Sequence, residues 1–235
     1  MRIDKFLSDM GLASRSEARS ACKSGQLLVD GVPVKDSSVH IDPEKQSIVY
    51  KGRSIGYRKH TYVMLNKPEG YVSATEDSKL PVVTELLDAE LRKMELFPVG
   101  RLDRDTTGLM ILTNNGPLCH KVLSPKHHVK KVYRFTSAVP MADGVEEHFR
   151  DGVTLADGYE CKSAEIVLDS DRMGGYITLT EGKYHQIKRM VASTDNRVVT
   201  LERVSFAGIP LDKNLGRGEY RLLNDDEIQL LENAD

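Results

Sequence analysis

Pro98-Val-Gly-Arg-Leu-Asp-Arg-Asp-Thr-Thr-Gly-Leu-Met-Ile-Leu-Thr113 is the stretch from which the rest of the chain can be read. Its second half, Leu109-Met-Ile-Leu112, is a short apolar run and predicts a buried strand. Its first half is a polar loop with Gly100 and Gly108 at its ends and a single Leu102 among charges. Loops of this kind often hold catalytic side chains, because the strand fixes the backbone while the loop stays accessible. Asp103 stands between Arg101 and Arg104, with Asp105 following. A carboxylate set among guanidinium groups keeps its charge and can act as a nucleophile or base. The plainer alternative is an ordinary surface ion network of Arg101, Asp103, Arg104 and Asp105.

The 235 residues allow one large domain, or a small one and a medium one, with ample core. With 40% hydrophobic and 29% charged residues the composition is globular. No apolar run approaches the roughly 18 residues that a membrane span needs, and no membrane partner is expected. The charged start Met1-Arg-Ile-Asp-Lys5 lacks the apolar stretch of a signal peptide. Cys22, Cys119 and Cys161 are far apart and form no C-x-x-C pair, so reduced structural thiols of a cytoplasmic protein are expected. His120, His127, His128 and His185 fall at no ligand spacing, so solvated or partner-facing histidines are expected rather than a metal site. There is no P-loop or dinucleotide fingerprint either, and no cofactor is expected.

The formal net charge of −2 argues weakly against a nucleic-acid partner. It hides an asymmetry, since residues 1–60 hold 11 Lys and Arg against 7 Asp and Glu, while the remainder holds 22 against 28. Within that acidic remainder no Asp or Glu occurs from Thr106 to Ala142, whereas Lys121, Lys126, Lys130, Lys131 and Arg134 do. Local fields capture polyanions better than net charge does, so two separate basic zones suggest a split footprint on a polyanion such as a nucleic acid.

Ile3, Phe6, Leu7 and Met10 form the apolar stripe of a short helix that Gly11 ends. Ser14-Arg-Ser-Glu17 has capping-box spacing and opens a second helix, stopped at Gly25. On it Arg15, Arg19 and Lys23 share one face, while Ala18 and Cys22 can turn inward. Leu27 and Val29, then Asp30-Gly31, then Val32 and Val34 predict a hairpin with a two-residue turn. Lys51 to His60, basic and holding two glycines, reads as a linker.

Tyr62 to Leu65 predicts a strand, followed by the turn Asn66-Lys-Pro-Glu-Gly70. A helix is expected from Val82 to Leu91, a short one from Pro117 to Leu123, and another from Met141 to Gly152. Lys130 to Val139 alternates as a strand with Tyr133 and Phe135 on one face. Short strands are expected through 153–180. Gly182 then precedes a helix whose apolar side is Tyr184, Ile187, Met190 and Val191. Lys188 sits at the edge of that side, and Arg189 points nearly opposite, toward solvent or phosphate. A last strand over Gly218 to Leu222 and a helix capped by Asn224 close the chain.

Three of these segments, in order, carry a family resemblance. Gly100-Arg-Leu-Asp-Arg-Asp-Thr-Thr-Gly108 resembles the Arg-Leu-Asp-x-x-Thr-Ser/Thr-Gly signature of pseudouridine synthases. Asn66-Lys-Pro-Glu-Gly70 resembles the turn that opens their catalytic domain. Glu181-Gly-Lys-Tyr-His-Gln-Ile-Lys-Arg-Met190 resembles their Gly-x-x-x-Gln-Ile/Val-Arg/Lys-Arg-Met motif, although many relatives have Arg at position 188. Lys there keeps the charge and loses the bidentate geometry. The two N-terminal helices and the Asp-Gly hairpin resemble the S4 RNA-binding module. Ser124-Pro-Lys-His-His128 and the C-terminal tail resemble the branch that acts on small-subunit ribosomal RNA.

The resemblance implies an α+β architecture. A small S4 module would occupy residues 1–53, a linker 54–60, and a catalytic domain 61–235 built on a mixed, mainly antiparallel sheet flanked by helices. It implies Asp103 as nucleophile, adding at C6 of the ring or at C1′, or helping form a glycal. Tyr133, from Lys131-Val-Tyr133, would stack on the target base and could assist removal of a proton. Lys188 would pair with Asp103, and Arg101 would position RNA backbone or the displaced base. Arg15, Arg19, Lys23, Lys130, Lys131 and Arg189 would contact RNA phosphates. The implied partner is 16S ribosomal RNA or a small-subunit assembly intermediate, acted on by a monomer, with uridine 516 in RNA numbering as target. A sibling acting on 23S rRNA uses the same chemistry. A catalytically silent S4-type assembly factor is the alternative from another class, and a pure binder has no need of Asp103, Tyr133 and Lys188 together.

Overall fold

The computed structural model describes residues 1–56, 59–124 and 126–234. Tyr57 and Arg58 of the expected linker, and Pro125 of the Ser124–His128 segment, lie outside the described residues. The chain divides into two compact units, residues 1–61 with 89–95, and residues 62–88 with 96–235.

In the first unit, α1 (Ile3–Asp9) buries Ile3, Phe6 and Leu7 completely, as its apolar stripe requires. The capping box opens α2 (Arg15–Lys23): the Ser14 N–H donates to Glu17 Oε2 at 2.7 Å and the Glu17 N–H to Ser14 Oγ at 3.3 Å. Ala18, Ala21 and Cys22 turn inward, leaving Arg15, Arg19 and Lys23 exposed together. Strands β1 (Leu27–Val29) and β2 (Val32–Pro33) form the expected hairpin, with Asp30 and Gly31 both at positive φ.

The expected linker begins too early. Lys51 and Gly52, also both at positive φ, make a second tight turn between β3 (Ile48–Tyr50) and β4 (Arg53–Ile55). Ser54 and Ile55 are therefore paired with Val49 and Ile48 in an antiparallel sheet of order β2-β1-β3-β4. The single helix expected from Val82 to Leu91 is also broken. A 3-10 turn, Val83–Leu86, ends at an extended Leu87, and α3 (Ala89–Arg92) follows. Tyr220 holds that break open, accepting the Asp88 N–H at 3.2 Å and donating its hydroxyl to the Asp88 carboxylate at 3.0 Å.

The second unit is a mixed sheet built from β5 (Tyr62–Lys67), β6 (Phe97–Pro98), β7 (Thr107–Thr113), β8 (Lys131–Ser137), β9 (Glu165–Leu168), β10 (Gly174–Leu179), β11 (Val198–Phe206), β12 (Ile209–Pro210) and β13 (Tyr220–Leu222). Its order is β13-β5-β7-β11-β8-β10-β9, with β6 on β7 and β12 on β11. Among the described strands every pairing is antiparallel except β7 with β11. Helices α4 (Gly116–Leu123), α5 (Val145–Asp151), α6 (Gln186–Ala192) and α7 (Asp225–Glu232) complete it. Helix α5 starts later than expected, after Gly144 in the left-handed region. Strand β11 has no counterpart in the sequence reading, because an exposed Val199 and a buried Arg203 break the apolar alternation. No described helix is long and apolar enough to cross a membrane.

Gly108 makes the parallel β7–β11 contact possible. Its φ is +97°, and a Cβ there would lie 2.3 Å from the Arg203 carbonyl oxygen. Gly108→Ala should lower the free energy of unfolding by about 2–4 kcal/mol, through the clash and the strained φ together. Urea unfolding with an unchanged m-value is the measurement, and a loss below about 0.5 kcal/mol would show that the two strands can separate freely there.

Candidate active site

The Gly100–Thr106 loop forms no strand, so its polar backbone groups need other partners, and Lys67 supplies most of them. This residue ends β5 opposite Gly108 and has 0% exposure. Its Nζ donates to the carbonyls of Asp103 at 3.0 Å, Thr106 at 2.8 Å, Arg104 at 3.3 Å and Pro68 at 3.2 Å. The Gly70 N–H donates to Arg104 O at 2.9 Å. Ser73 Oγ donates to Leu102 O at 2.7 Å and accepts the Leu102 N–H at 2.9 Å. Burial pushes the Lys67 ammonium down to about 8, against the pull of Asp105 and Asp103.

With the backbone fixed in this way, the side chain of Asp103 meets α6. Lys188 Nζ donates to Asp103 Oδ2 at 3.0 Å and to Asp105 Oδ1 at 2.6 Å. His185 Nε2 lies 3.6 Å from Asp103 Oδ1. Burial would lower the Lys188 ammonium, but its bonds to Asp105 and Asp103 outweigh that and hold it above its ordinary range. Burial likewise opposes the Asp105 charge, and Lys188 reverses the balance, drawing that carboxyl below its usual value. Among the described residues, the guanidinium groups of Arg101 and Arg104 pair with neither carboxylate, and both residues are exposed. The surface ion network considered from charge pattern is thus replaced by one lysine from a distant helix.

Asp103 lies on a small open pocket, with Arg101 and Lys188 on its walls. Tyr133, Leu179, Ile187 and Leu201 give it apolar surface next to the carboxylate. Tyr133 comes from β8 and is buried. Beside it Arg203 is 1% exposed, donates Nε to Leu109 O at 2.8 Å and hydrogen-bonds Tyr133. Its Nη2 has no hydrogen-bond partner among the described residues.

The pocket's other edge is the loop before α6. Buried Glu181 accepts from Gln186 Nε2 at 2.6 Å, from the Lys162 N–H at 2.9 Å and from the Tyr159 hydroxyl at 2.8 Å. Such a site offers a carboxylate, a cation beside it, and an adjoining wall that includes the Tyr133 ring and aliphatic side chains. That combination suits nucleophilic chemistry on a planar heterocycle or its sugar.

The structure brings Arg101, Asp103, Tyr133 and Lys188 together, as the sequence reading expected. It treats the expected phosphate contacts differently. Lys130 is exposed but faces a separate groove beside α7. Lys131 turns inward, donating to Val129 O at 2.9 Å and standing over the Phe206 ring, so it is not the surface cation expected. Arg189 does not point free into solvent, since Asp157 captures its guanidinium. Tyr184 is no part of the apolar side of α6, because the helix starts only at Gln186.

The sequence reading missed Lys67, Glu181, Gln186 and Arg203. For Lys67 a signal existed, a lone cation closing an apolar strand; for Arg203 there was none. Among the described residues no group of three His, Cys, Asp or Glu could hold a metal ion.

Comparison with known proteins agrees with this fold and site. Residues 61–193 match the RNA pseudouridylate synthase family and residues 1–46 the S4 domain. The Bacillus subtilis "Uncharacterized RNA pseudouridine synthase YtzG" is 42% identical over 234 residues, covering 98% of each chain. "Ribosomal small subunit pseudouridine synthase A" of Escherichia coli K12 is 38% identical over 229 residues, covering 97% of this chain and 98% of the relative. A solved structure described as a pseudouridylate synthase superposes with a TM-score of 0.69 at 36% identity, covering 98% of this chain and 99% of its own. The chain is a member of the RNA pseudouridylate synthase family, with an S4 domain at its N-terminus. It is therefore an isomerase of uridine in RNA.

Lys67 gives a pH prediction. Folded, it releases its proton near 8, whereas the unfolded lysine holds it to about 10.5, so the unfolded chain binds more protons between those values. The contribution of this lysine to stability must therefore rise with pH across that window. The stability difference between wild type and Lys67→Met should shift in favour of wild type from pH 8 towards 10.5. Denaturant titrations at several pH values test it, and a flat difference would mean that Lys67 is not buried as a cation.

Proposed function

We propose that this enzyme isomerises one uridine of 16S ribosomal RNA to pseudouridine, with Asp103 as the nucleophile. The observation that carries the reading is the position of Asp103, held by its own carbonyl to Lys67 and by its carboxylate to Lys188 at the mouth of a pocket lined by Tyr133. Relatives from several bacteria that match nearly the whole chain are ribosomal small subunit pseudouridine synthases, which supports the substrate.

The target base must leave its stack before any side chain can reach it. Tyr133 and the apolar wall then hold the ring. Asp103 attacks the nucleotide, and the N1–C1′ bond breaks. The detached uracil turns within the pocket, C5 bonds to C1′, the C5 hydrogen leaves as a proton, and N1 gains one. Asp103 is released, so the reaction consumes nothing. Lys188 balances the charge that moves between Asp103 and the base, and Asp105 holds Lys188 in place throughout. Arg101 steadies the backbone or the displaced base. Residues 1–55 serve as the RNA-gripping module, with Arg15, Arg19 and Lys23 on one face as its phosphate contacts.

Release of tritium from uridine C5 counts turnovers directly. Wild-type enzyme should release it from 16S and not from 23S rRNA, and Asp103→Asn should lose at least a thousandfold in kcat while binding RNA within about threefold. Release from 23S rRNA would move the enzyme to a sibling substrate. Substantial turnover by Asp103→Asn would remove Asp103 as nucleophile, and no turnover on either RNA or on assembly intermediates would favour a pure binding factor. Changing Arg15, Arg19 and Lys23 together to Ala should weaken RNA binding and flatten its dependence on log salt concentration by about 2–3 units of slope. An unaltered slope would exclude that face.

A further inference from the structure

At the rim of the pocket, in the loop before α6, stands a stacked pair of rings. Tyr184 and His185 lie 3.8 Å apart between centroids with an interplanar angle of 18°. His185 is also part of the pocket wall and reaches to 3.6 Å from Asp103. Tyr184 is 75% exposed. It directly precedes His185, whose φ of +49° is unusual for a residue with a side chain.

That conformation is held from several sides. Gln186 Oε1 accepts the Lys183 N–H at 2.9 Å, while its Nε2 is tied to buried Glu181. The His185 and Tyr184 carbonyls accept from the N–H and Nη1 of Arg189, at 2.9 and 3.4 Å, and Asp157 fixes that guanidinium. The loop backbone is thus fixed, and the Tyr184 ring stands in water against His185, next to Asp103.

We infer that the Tyr184–His185 pair is a stacking platform for the nucleobase adjoining the target uridine in the RNA strand, an inference that rests on the pocket at Asp103 being where that uridine is received. Pulling one base out of a strand deprives its neighbour of a stacking partner, at a cost of a few kcal/mol. An open aromatic face beside the pocket replaces that partner, and any base can use it because every base has a π-face. The charges fit the same occupant, since exposed Arg101 and Lys183 line the same pocket as His185, the Lys183 ammonium standing over the Tyr159 ring, and both can meet neighbouring phosphates. The platform therefore sets how firmly the strand is held open around the flipped base.

The chain contains no Trp, so Tyr184→Trp creates a single tryptophan on the platform. Its emission is to be followed while a mixed-sequence single-stranded RNA, and an abasic ribose-phosphate strand of the same length, are titrated in. Anisotropy of end-labelled strands reports binding independently. The RNA should quench the emission to a plateau that tracks its binding, and the bound abasic strand should leave it nearly unchanged. RNA that saturates the protein without quenching, or equal quenching by the abasic strand, overturns the platform.

In the turnover assay on 16S rRNA, Tyr184→Ala should raise KM by about 5- to 100-fold, and Tyr184→Phe should stay within about threefold of wild type. A Phe variant as impaired as the Ala variant, or an Ala variant with unchanged KM, also overturns it. Wild-type enzyme silent on 16S rRNA would count against the proposed substrate, and the fluorescence titration would still decide the platform.

Discussion

The ammonium of Lys67, gripping carbonyls of Asp103, Arg104 and Thr106, is the interaction on which the site depends. A loop that must present a side chain to substrate cannot also pair its backbone as a strand. Its carbonyls therefore converge, and a convergent set of carbonyls under a sheet is best met by a cation with several donors. Placing a lysine there is costly, since burial drives its proton off as far as about pH 8. The gain is rigidity, because Asp103 is fixed by its own carbonyl independently of whatever its carboxylate is doing. The Asp103 carboxylate can change partners without its backbone moving.

The sheet then decides what Asp103 meets. Strands β7 and β11 run parallel through the Gly108–Arg203 contact, so the loop before β7 and the helix before β11 arrive on the same side. Lys188 therefore stands between two carboxylates, Asp103 and Asp105, of which only the first lies on the pocket. The division is useful. With two carboxylates on one ammonium, Lys188 keeps a counter-charge from Asp105 whatever Asp103 is bonded to. Arg would form a planar fork with one carboxylate, whereas the point charge of Lys can be shared by two.

How much of this could be read from sequence differs by residue. The apolar run after Gly108, the capping box at Ser14 and the Asp30-Gly31 turn each depend on neighbours in the chain, and each appears where local chemistry puts it. The convergence of Asp103, Tyr133 and Lys188 became visible only through resemblance, since no local rule brings together residues 85 apart. Partner choice was the illegible part. Arg101 and Arg104 adjoin Asp103 in sequence, yet the carboxylate takes Lys188, because flanking side chains diverge from an irregular backbone. Lys131 and Arg189 looked like phosphate contacts until packing turned one inward and gave Asp157 to the other. Strand β11 was hidden by the same effect, with an arginine occupying a core position that pattern reading reserves for apolar residues.

The parallel pair β7–β11 also sets the order in which the enzyme comes into being. Antiparallel neighbours such as β5 and β7 can join early in synthesis, but β7 must wait for the whole excursion through β8, β9, β10 and α6 before β11 exists. Asp103 emerges in the first half of the chain and Lys188 in the last quarter. A growing polypeptide therefore carries the S4 domain and Asp103 before the lysine that pairs with that carboxylate has been made. The pairing of Asp103 with Lys188 is thus a late event, possible only once the crossover from β7 through α6 has been completed.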